Sequence, residues 1–372
     1  MGGDQHGDSC ENRAMPAAQN EGLRVVVAAP LSTENAERLR AAGPGIELVY
    51  EPDLLPPMRH PADFDGDPSF RRSAEQQARF DALVDSAEAL YGVPDVDPAA
   101  LARTVAANPR LRWVHTMAAG GGGQVKAAGL SQEQLGRVVF TTSAGVHGDP
   151  LAEWAVFGIL AGAKNLDRLL TQQRSHTWSG RWEMAQLSQM TVLVLGLGGI
   201  GSRVAAKVSA LGARVVGTSR HGLVAGVGAA VDVDEVITPD RVSGVLGRVD
   251  ALVSTLPGTD KTEGLLDSSM FAAARPGLIV VNVGRGTVID EPALIAALRT
   301  GQVGYAALDV FASEPLPADS ALWDLPNVLV SPHTAALNVE EDRRIVDLFA
   351  DNAGRLLAGR ELRNRVETTE FY

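Results

Sequence analysis

The chain has 372 residues, of which 45% are hydrophobic and 5% aromatic, and its formal net charge is −12. This length predicts two domains that can each bury an ordinary core. The negative charge, without a run of lysine or arginine to offset it, argues against nucleic-acid binding, and no apolar stretch is long enough to predict a transmembrane helix.

Residues 1–22 form a polar, glycine-rich leader that we expect to be disordered. The leader holds Cys10, the chain's single cysteine, so the sequence predicts no internal disulfide. It also lacks the charged and then apolar layout of a secretory signal. The sequence therefore favours a cytoplasmic protein.

The first part of the chain alternates between strand and helix patterns. An apolar run at Leu23–Ala28, a helical pattern at 33–43 and a second run at Glu47–Tyr50 predict a β-α-β unit. Proline and aspartate are frequent in residues 51–70, which predicts a loop. Further helices are predicted at 73–86 and 99–109, and further strands at 89–93, 111–117 and 138–142. Alternation of this kind predicts a parallel sheet covered by helices.

Residues 150–173 form one long helical pattern that is apolar over much of its circumference. A helix of this kind is expected to be buried, either between two domains or between two subunits. We therefore predict that this helix takes part in a homodimer.

A glycine-rich turn follows the next strand pattern. Gly196, Gly198 and Gly201 fit the pattern G-x-G-x-x-G, and Gly199 and Ile200 stand between them. The first glycine permits a tight turn, the second lets the backbone approach a pyrophosphate, and the third lets the following helix pack on the strand. The helix then offers free N–H groups and a positive dipole end to the anion. In this strand–turn–helix context the pattern predicts a dinucleotide site.

The choice between the two nicotinamide cofactors is predicted from the end of the following strand, 214–218. Ser219 stands where an acidic residue would bind the ribose hydroxyls of NAD, and Arg220 follows it. A serine does not repel a 2′-phosphate, and a guanidinium can bind one in a fork. The sequence therefore predicts a preference for NADPH. The alternative is that Arg220 faces solvent and that NAD(H) also serves.

Three charged side chains follow the last strand patterns, which are predicted at 251–256, 278–283, 305–310 and 328–332. Arg285 and His333 each stand just past a strand end, and Glu314 lies between them in the chain. Ligands of open α/β sheets gather at the carboxyl ends of the strands. We therefore expect these three side chains to converge.

The segments LGLGGIG, NVGRGTVIDEPAL, LDVFASEPLP and LWDLPNVLVSPHTA strongly resemble motifs of the D-isomer-specific 2-hydroxyacid dehydrogenases. The resemblance extends from about Leu23 to the end of the chain. It implies two doubly wound α/β domains with parallel sheets, in which a Rossmann dinucleotide-binding domain (148–334) is inserted into a flavodoxin-like substrate domain (23–147 and 335–372). It also implies an oxidoreductase that transfers a hydride between NAD(P)H and a small 2-oxo acid, giving the D-2-hydroxy acid.

The resemblance implies a role for each of the three charged residues. Arg285 would pair with the substrate carboxylate and carbonyl oxygen, and would so hold C2 beside the nicotinamide. His333 would exchange a proton with the carbonyl oxygen, because an imidazole gains or loses a proton near neutral pH. Glu314 would hydrogen-bond the far nitrogen of His333 and orient the ring.

The same resemblance assigns positions around the reacting atoms. The backbone amides of Ala119 and Gly120 would hold the substrate carboxylate together with Arg285, and the further glycines Gly121 and Gly122 suggest a looser loop there. Asp309 would lie near the nicotinamide amide. The other predicted cofactor contacts are Leu256, Pro257, Val283 and Gly284. No metal site is predicted.

Five more residues have weaker interpretations. His147, at the join into the long helix, could line the cleft, but a hinge or packing role is favoured. Arg59 and His60 lie in the proline- and aspartate-rich loop, where a substrate contact is the less favoured interpretation. Trp178 and Trp182 are expected to pack.

Three functions stay open at this point. Reduction of glyoxylate or hydroxypyruvate is the first, and 3-phosphoglycerate dehydrogenation is the second. The third is a non-catalytic protein that senses nicotinamide nucleotides, because a fold does not determine function. The joint presence of Arg285, Glu314 and His333 argues against a sensor, which needs none of them.

Overall fold

The computed structural model describes residues 22–43, 45–220, 233–369 and 371. Nearly all of the leader, with Cys10, lies outside them, so its disorder stays a prediction. The described chain forms two parallel β-sheets with helices packed against them. The fold class is therefore as predicted, with two doubly wound α/β units.

Five strands form the first sheet: β1 (Leu23–Val27), β2 (Ile46–Val49), β3 (Ala89–Tyr91), β4 (Trp113–His115) and β5 (Val139–Thr141). All are parallel, in the order β2-β1-β3-β4-β5. The helices of this part are α1 (Thr33–Ala41), α2 (Ala74–Val84), α3 (Pro98–Ala107), α4 (Gly122–Ala127) and α5 (Gln132–Arg137). Val25, Leu90 and Val114 of three adjacent strands are completely buried. Burial on both faces explains why these strands read as apolar runs.

Seven strands form the second sheet: β6 (Thr191–Leu195), β7 (Arg214–Thr218), β8 (Glu235–Ile237), β9 (Ala251–Ser254), β10 (Leu278–Asn282), β11 (Val303–Leu308) and β12 (Val328–Val330). All are parallel, in the order β12-β11-β10-β9-β6-β7-β8. Its helices are α6 (Gly148–Ala163), α7 (Leu166–Arg174), α8 (Gly199–Ala210), α9 (Val242–Val245), α10 (Ser268–Ala273) and α11 (Glu291–Thr300). The strand order reverses between β6 and β9, and such a switch point opens a crevice at the carboxyl ends of the strands.

The last helix, α12 (Glu341–Leu357), returns the chain to the first sheet. Ile345, Val346 and Phe349 are completely buried in the core of that sheet. The ring of Phe349 stacks on Trp113, with centroids 4.3 Å apart and planes at 20°. Residues that precede the second sheet and residues that follow it thus pack together in the core of the first sheet. The domain boundaries predicted from the sequence stay a proposal.

The prediction of one helix over residues 150–173 is wrong. Two helices, α6 and α7, meet at Asn165, whose φ of +52° lies in the left-handed region. Asparagine tolerates this conformation better than most residues, so the chain can change direction there. Helix α6 is buried against the second sheet: a Cβ on Gly158 would lie 2.8 Å from the Cβ of Ala307. Its apolar circumference is therefore largely explained by burial within its own unit.

Helices α4 and α5 were not predicted, because each has only six residues. Helix α5 carries a signal that reveals it. Ser131 and Gln134 form a capping box, in which each side chain accepts a hydrogen bond from the other residue's N–H. Helix α4 has no such cap and begins inside a run of glycines.

Residues 51–70 form a loop, as predicted, apart from one 3-10 turn. Asp63 anchors this loop and is only 3% exposed. The Arg59 guanidinium donates to both carboxylate oxygens of Asp63 at 2.7 Å, and the N–H of Gly66 donates at 3.1 Å. The carboxylate is therefore the centre of a charge-assisted hydrogen-bond network.

Replacing Asp63 with asparagine is expected to lower the free energy of unfolding by about 1–3 kcal/mol, because the Arg59 guanidinium and the buried N–H of Gly66 lose a charged acceptor. The Arg59 guanidinium lowers the pKa of Asp63 to about 2. The stabilisation is therefore complete above the unfolded pKa of about 4, and is lost as the pH falls through about 2. Urea unfolding near pH 6 and near pH 3 measures the gap between wild type and variant.

The gap is expected to be smaller near pH 3, and an equal gap at both pH values would contradict the assignment. Asp65→Asn is the control, because Asp65 is an exposed carboxylate of the same loop. Its unfolding free energy is expected to stay within about 0.5 kcal/mol of wild type.

Candidate active site

The predicted site residues lie at the carboxyl ends of neighbouring strands in the second sheet. Gly196 directly follows β6, Leu256 and Arg285 stand just past β9 and β10, and Asp309 follows β11. Strand β12 leads to His333. Because all these strands are parallel, the residues share the edge of the sheet at which the crevice opens.

The glycine-rich turn has the shape of an anion cradle. A Cβ on Gly201 would lie 1.9 Å from the carbonyl oxygen of Gly196, so only glycine lets α8 pack this closely. A Cβ on Gly198 would meet nothing within 4 Å, so the turn faces open space. Helix α8 begins at Gly199, and its first N–H groups, including that of Ile200, have no intrahelical partner. The turn therefore fits a dinucleotide pyrophosphate.

Two threonines that the sequence analysis missed hold this turn. The Thr255 hydroxyl donates to the carbonyl oxygens of Leu195 and Gly196 at 2.9 and 2.8 Å. The Thr218 hydroxyl accepts a hydrogen bond from the N–H of Gly196 at 2.7 Å. Both threonines stand at the carboxyl ends of the strands that flank β6. A hydroxyl residue at the end of such a strand is the sequence signal that could have identified them.

Ser219 and Arg220 follow β7, as the sequence predicts. The N–H of Ser219 donates to the carbonyl oxygen of Ile237 at 3.1 Å, which keeps this strand end beside β8. Residues 221–232 come next and lie outside the described residues. The cofactor preference therefore stays a prediction.

The other predicted cofactor contacts border the crevice between β9 and β10. A Cβ on Gly284 would lie 2.5 Å from the carbonyl oxygen of Leu256, so glycine is needed where the two loops approach. Val283 is buried. The carbonyl oxygen of Pro257 accepts a hydrogen bond from Thr262 at 2.6 Å. Contacts of these residues with a cofactor stay predictions.

His333 and Glu314 form a hydrogen-bonded pair. Nδ1 of His333 lies 2.8 Å from Oε2 of Glu314, and Oε1 of Glu314 accepts a hydrogen bond from the N–H of Phe311 at 3.0 Å. The carboxylate is thus held at both oxygens and orients the ring. With Nδ1 engaged, Nε2 is the nitrogen left for a substrate. The His333 side chain is 50% exposed, so the pair opens to solvent and to ligands.

Asp309 holds the turn that carries His333. Its Oδ1 accepts hydrogen bonds from the hydroxyl of Ser331 at 2.6 Å and from the N–H groups of Thr334 and Ala335, each at 3.0 Å. Its carbonyl oxygen accepts from the N–H of His333 at 3.0 Å. These bonds support His333 at φ +53°, which is unfavourable for a bulky residue. The contact of Asp309 with the nicotinamide amide stays a prediction, and the structure adds this positioning role.

Arg285 is fixed by the backbone around the end of β10. The Asn282 amide donates to the carbonyl oxygen of Arg285 at 3.0 Å and accepts from the N–H of Gly284 at 3.1 Å. Nη1 of Arg285 donates to the carbonyl oxygen of Gly284 at 2.7 Å. Asn282, which is completely buried, is a second positioning residue that the sequence analysis missed.

The charge of Arg285 is poorly solvated. Burial lowers the pKa of its guanidinium from the ordinary value, and the nearby Glu314 carboxylate opposes that shift. An arginine keeps its proton in spite of such a shift. Arg285 therefore shares the site with Glu314 and presents a desolvated cation, which is a strong partner for a carboxylate.

The first sheet reaches the site through the loop after β4. A Cβ on Gly120 would lie 2.0 Å from Nη2 of Arg285, so a larger residue would displace the guanidinium at this contact between the two units. Gly121 is buried and Gly122 begins helix α4, so part of the glycine run is packed, and the looser loop stays a prediction. Ala119 directly precedes the contact. The binding of a carboxylate by these amides stays a prediction.

His147 lies where the chain passes from the first sheet to helix α6, and its side chain is paired within the chain. Its Nε2 lies 2.7 Å from Oε1 of Glu341, and the two residues are 8% and 2% exposed. His147 stands where the chain leaves the first sheet, and Glu341 stands where it returns. The pair therefore links the two crossings, which agrees with the favoured interpretation.

Arg59 and His60 have partners inside their own loop. Arg59 is engaged by Asp63, as described above, and Nδ1 of His60 lies 2.8 Å from the carbonyl oxygen of Pro61. These contacts hold both side chains within residues 51–70. The less favoured substrate contact gains no support from them.

The two tryptophans differ. Trp182 packs as predicted: its Nε1 donates to Asn165 at 3.1 Å, and the Arg168 guanidinium lies 4.0 Å from the ring centroid. The side chain of Trp178 is 100% exposed. The prediction of packing is therefore wrong for Trp178 in the single chain.

The described ranges hold no candidate metal site and no candidate membrane-spanning helix. Among those residues, no cluster of three or more His, Cys, Asp or Glu side chains is arranged to bind a metal ion. Nor does any helix there combine the length and the apolar composition needed to cross a bilayer.

Residues 156–335 match the family model described as "D-isomer specific 2-hydroxyacid dehydrogenase, NAD binding domain". Glyoxylate/hydroxypyruvate reductase B of Yersinia enterocolitica is 30% identical over 302 residues, which cover 79% of this chain and 88% of that protein. D-3-phosphoglycerate dehydrogenase of Mycobacterium leprae is 34% identical over 283 residues, which cover 74% of this chain and 52% of that protein. This chain thus spans about half the length of the latter relative.

A solved structure shows the same architecture. It is described as a D-isomer specific 2-hydroxyacid dehydrogenase from Xanthobacter autotrophicus Py2 in complex with NADPH and MES. Its TM-score is 0.72 at 27% sequence identity, and the match covers 95% of this chain and all of that one.

Proposed function

Because this chain belongs to the D-isomer-specific 2-hydroxyacid dehydrogenase family, we propose that it transfers a hydride between NADPH and a small 2-oxo acid, giving the D-2-hydroxy acid. The observation that carries this proposal is the oriented His333–Glu314 pair at the same sheet edge as the desolvated Arg285. A non-catalytic sensor has no need of an imidazole held in one orientation.

The roles of the site residues follow from their chemistry. Bound beside them, a nicotinamide supplies or accepts the hydride. Arg285 pairs with the substrate carboxylate and polarises the carbonyl oxygen, while the amides of Ala119 and Gly120 bind the carboxylate from the other side. His333 delivers a proton to the carbonyl oxygen from Nε2 and takes it back in the reverse reaction. Glu314 keeps the ring aligned and balances its positive charge.

Glyoxylate and hydroxypyruvate are the first substrates to test, and the similarity to the Yersinia reductase over most of its length supports them. The alternative substrate is that of 3-phosphoglycerate dehydrogenase, which the similarity to the Mycobacterium protein favours. Both reactions use the same three charged residues, so the side chain at C3 of the substrate is what separates them.

An absorbance assay of NADPH oxidation tests the proposal. Glyoxylate, hydroxypyruvate, phosphohydroxypyruvate and bulkier 2-oxo acids are each offered with NADPH and with NADH. Turnover of one of the two small acids is the expected result. Turnover of phosphohydroxypyruvate alone would establish the alternative dehydrogenase, and no turnover of any acid by a protein that binds NADPH would establish the sensor.

The preference for NADPH is proposed to depend on Ser219 and Arg220 at the end of β7. The double variant Ser219→Asp, Arg220→Ala adds a carboxylate that repels a 2′-phosphate and removes a cation that binds it. We expect the ratio of kcat/KM for NADPH to that for NADH to fall about 10-fold or more, since one charged hydrogen bond contributes about 1.5–3 kcal/mol.

The control for this prediction is Arg214→Ala, which removes an exposed arginine at the other end of the same strand. That variant is expected to keep the wild-type ratio. If wild type uses both cofactors equally, the roles of Ser219 and Arg220 are wrong.

A homodimer is also part of the proposal. Phe157 of α6, Leu169 and Leu170 of α7, and Trp178 beyond α7 expose 47%, 38%, 37% and 100% of their surface in the single chain. Large apolar side chains that are exposed in a single chain are often covered at a subunit interface. Sedimentation at micromolar concentration is expected to give twice the mass of one chain, and a monomer would contradict this. The predicted cytoplasmic location is likewise a proposal, which cell fractionation tests.

A further inference from the structure

A cavity lies beside the segment that joins the two sheets, and Arg285, Glu314 and His333 are not among its lining residues. It has a volume of about 340 Å³ and is lined by the hinge segment around Gly145 and by three arginines, Arg203, Arg344 and Arg363. Arg203 comes from helix α8 of the second sheet, whereas Arg344 comes from helix α12 and Arg363 from the tail beyond it. The cavity is therefore built from both units of the chain.

The three arginines of this cavity differ in their anionic partners. Asp149 is the one carboxylate among the lining residues, and it forms an ion pair with Arg203, in which Oδ2 lies 3.6 Å from Nε. Arg363 pairs with Asp351 at 3.0 Å while staying 57% exposed. In the described part of the chain, the half-buried Arg344 side chain makes no ion pair or hydrogen bond. The lining residues thus include three cations and one carboxylate, and Arg344 is the cation that lacks an anionic partner within the described residues.

The cavity walls are held in place before any ligand binds. Nη1 of Arg203 donates to the carbonyl oxygen of Gly199 at 2.6 Å, and a Cβ on Gly148 would lie 2.7 Å from the same Nη1. The Asn364 amide donates to the carbonyl oxygen of Ala144 at 2.6 Å, which ties the tail to the hinge. The Arg203 guanidinium and the tail segment are thus held in place, and they lose little freedom when an anion binds beside them.

We infer that this hinge cavity binds a phosphate group, either as inorganic phosphate or as the monoester of a small metabolite. Guanidinium forks match the oxygens of phosphate, and an uncompensated cation such as Arg344 gains most from an anionic partner. Because the donors come from both units, a bound phosphate favours one arrangement of the hinge over others.

Calorimetric titration of the full chain tests this inference. Inorganic phosphate and glycerol phosphate are titrated separately at constant ionic strength, so that the two sources of the group are compared. Saturable binding is expected in the wild type. The variants Arg344→Gln and Arg363→Gln are each expected to bind about 10-fold more weakly or worse, because each loses a charge-assisted donor.

Two neighbouring arginines serve as matched controls. Arg343 pairs with Glu340, and Arg365 faces Glu361. Neither lines the cavity, so Arg343→Gln and Arg365→Gln are expected to bind phosphate as the wild type does. Circular dichroism and NADPH binding show whether each variant is folded.

Three outcomes would overturn the inference. They are no binding of either phosphate by the wild type, wild-type affinity in Arg344→Gln and Arg363→Gln, and displacement of the phosphate by NADPH. The last outcome would assign the binding to the dinucleotide turn. Because the readout is binding, the test does not depend on the proposed dehydrogenase activity.

Discussion

Replacing His333 with glutamine is expected to lower kcat for 2-oxo acid reduction by about 10²–10⁴-fold, the range that a positioned general acid contributes. Glutamine keeps a polar side chain at this place but cannot deliver a proton to the carbonyl oxygen. The Kd of NADPH is expected to stay unchanged, since His333 stands across the sheet edge from the glycine-rich turn. Steady-state kinetics with the best small substrate and a fluorescence titration of NADPH measure the two effects.

Glu314 provides the check on this prediction. Glu314→Gln keeps a hydrogen-bond acceptor for Nδ1 of His333 but removes the negative charge 2.8 Å from it. Its kcat is expected to fall less than that of His333→Gln. The double variant is expected to be no slower than His333→Gln alone, because residues that act as a unit are not additive. Additive losses, or a His333→Gln enzyme within tenfold of wild type, would show that His333 is not the proton donor.

Arg285→Ala is expected to lower kcat/KM by about 100-fold or more, because the substrate loses both a charged partner and its alignment. Arg285→Lys is expected to recover only part of the loss. A lysine is a single point donor, whereas the guanidinium forks onto a carboxylate. Kinetics with glyoxylate or hydroxypyruvate measure both variants, and Arg299→Ala on the exposed face of α11 is the control.

A substitution at Gly120 offers a second way to disturb the position of the Arg285 guanidinium. A Cβ there would lie 2.0 Å from Nη2 of Arg285, so Gly120→Ala must displace the guanidinium or the loop. We expect this variant to lose kcat/KM in the same direction as Arg285→Ala while still binding NADPH. Wild-type kcat/KM in Arg285→Ala would contradict the role of the guanidinium.

The strands could be predicted well from the sequence, and so could the reactive side chains that directly follow them. Runs such as Val192–Leu195 are apolar because both faces of the sheet are covered, and this leaves a strong pattern. Arg285 and His333 stand directly beyond such runs, where parallel topology alone brings them together. Glu314 could be assigned only through the family resemblance, because no strand end marks it.

Other features depend on contacts between distant parts of the chain, and local patterns do not reveal them. The approach of Gly120 to Arg285 joins two sheets, and the hydrogen bonds of Asp309 to the His333 turn join β11 to the residues after β12. The break at Asn165 was missed because the apolar pattern continues through it. The sequence does not distinguish a tryptophan that packs within one chain from one that packs between subunits, and packing was therefore expected for Trp178.

Transfer of deuterium from C4 of labelled NADPH to the product is the most direct test of the proposed chemistry. With a small 2-oxo acid and the wild-type chain, mass spectrometry is expected to find one deuterium at C2 of the hydroxy acid, and the His333→Gln enzyme is expected to form it far more slowly. A wild-type chain that binds NADPH yet forms no labelled product from any 2-oxo acid would contradict hydride transfer at the Arg285–Glu314–His333 site.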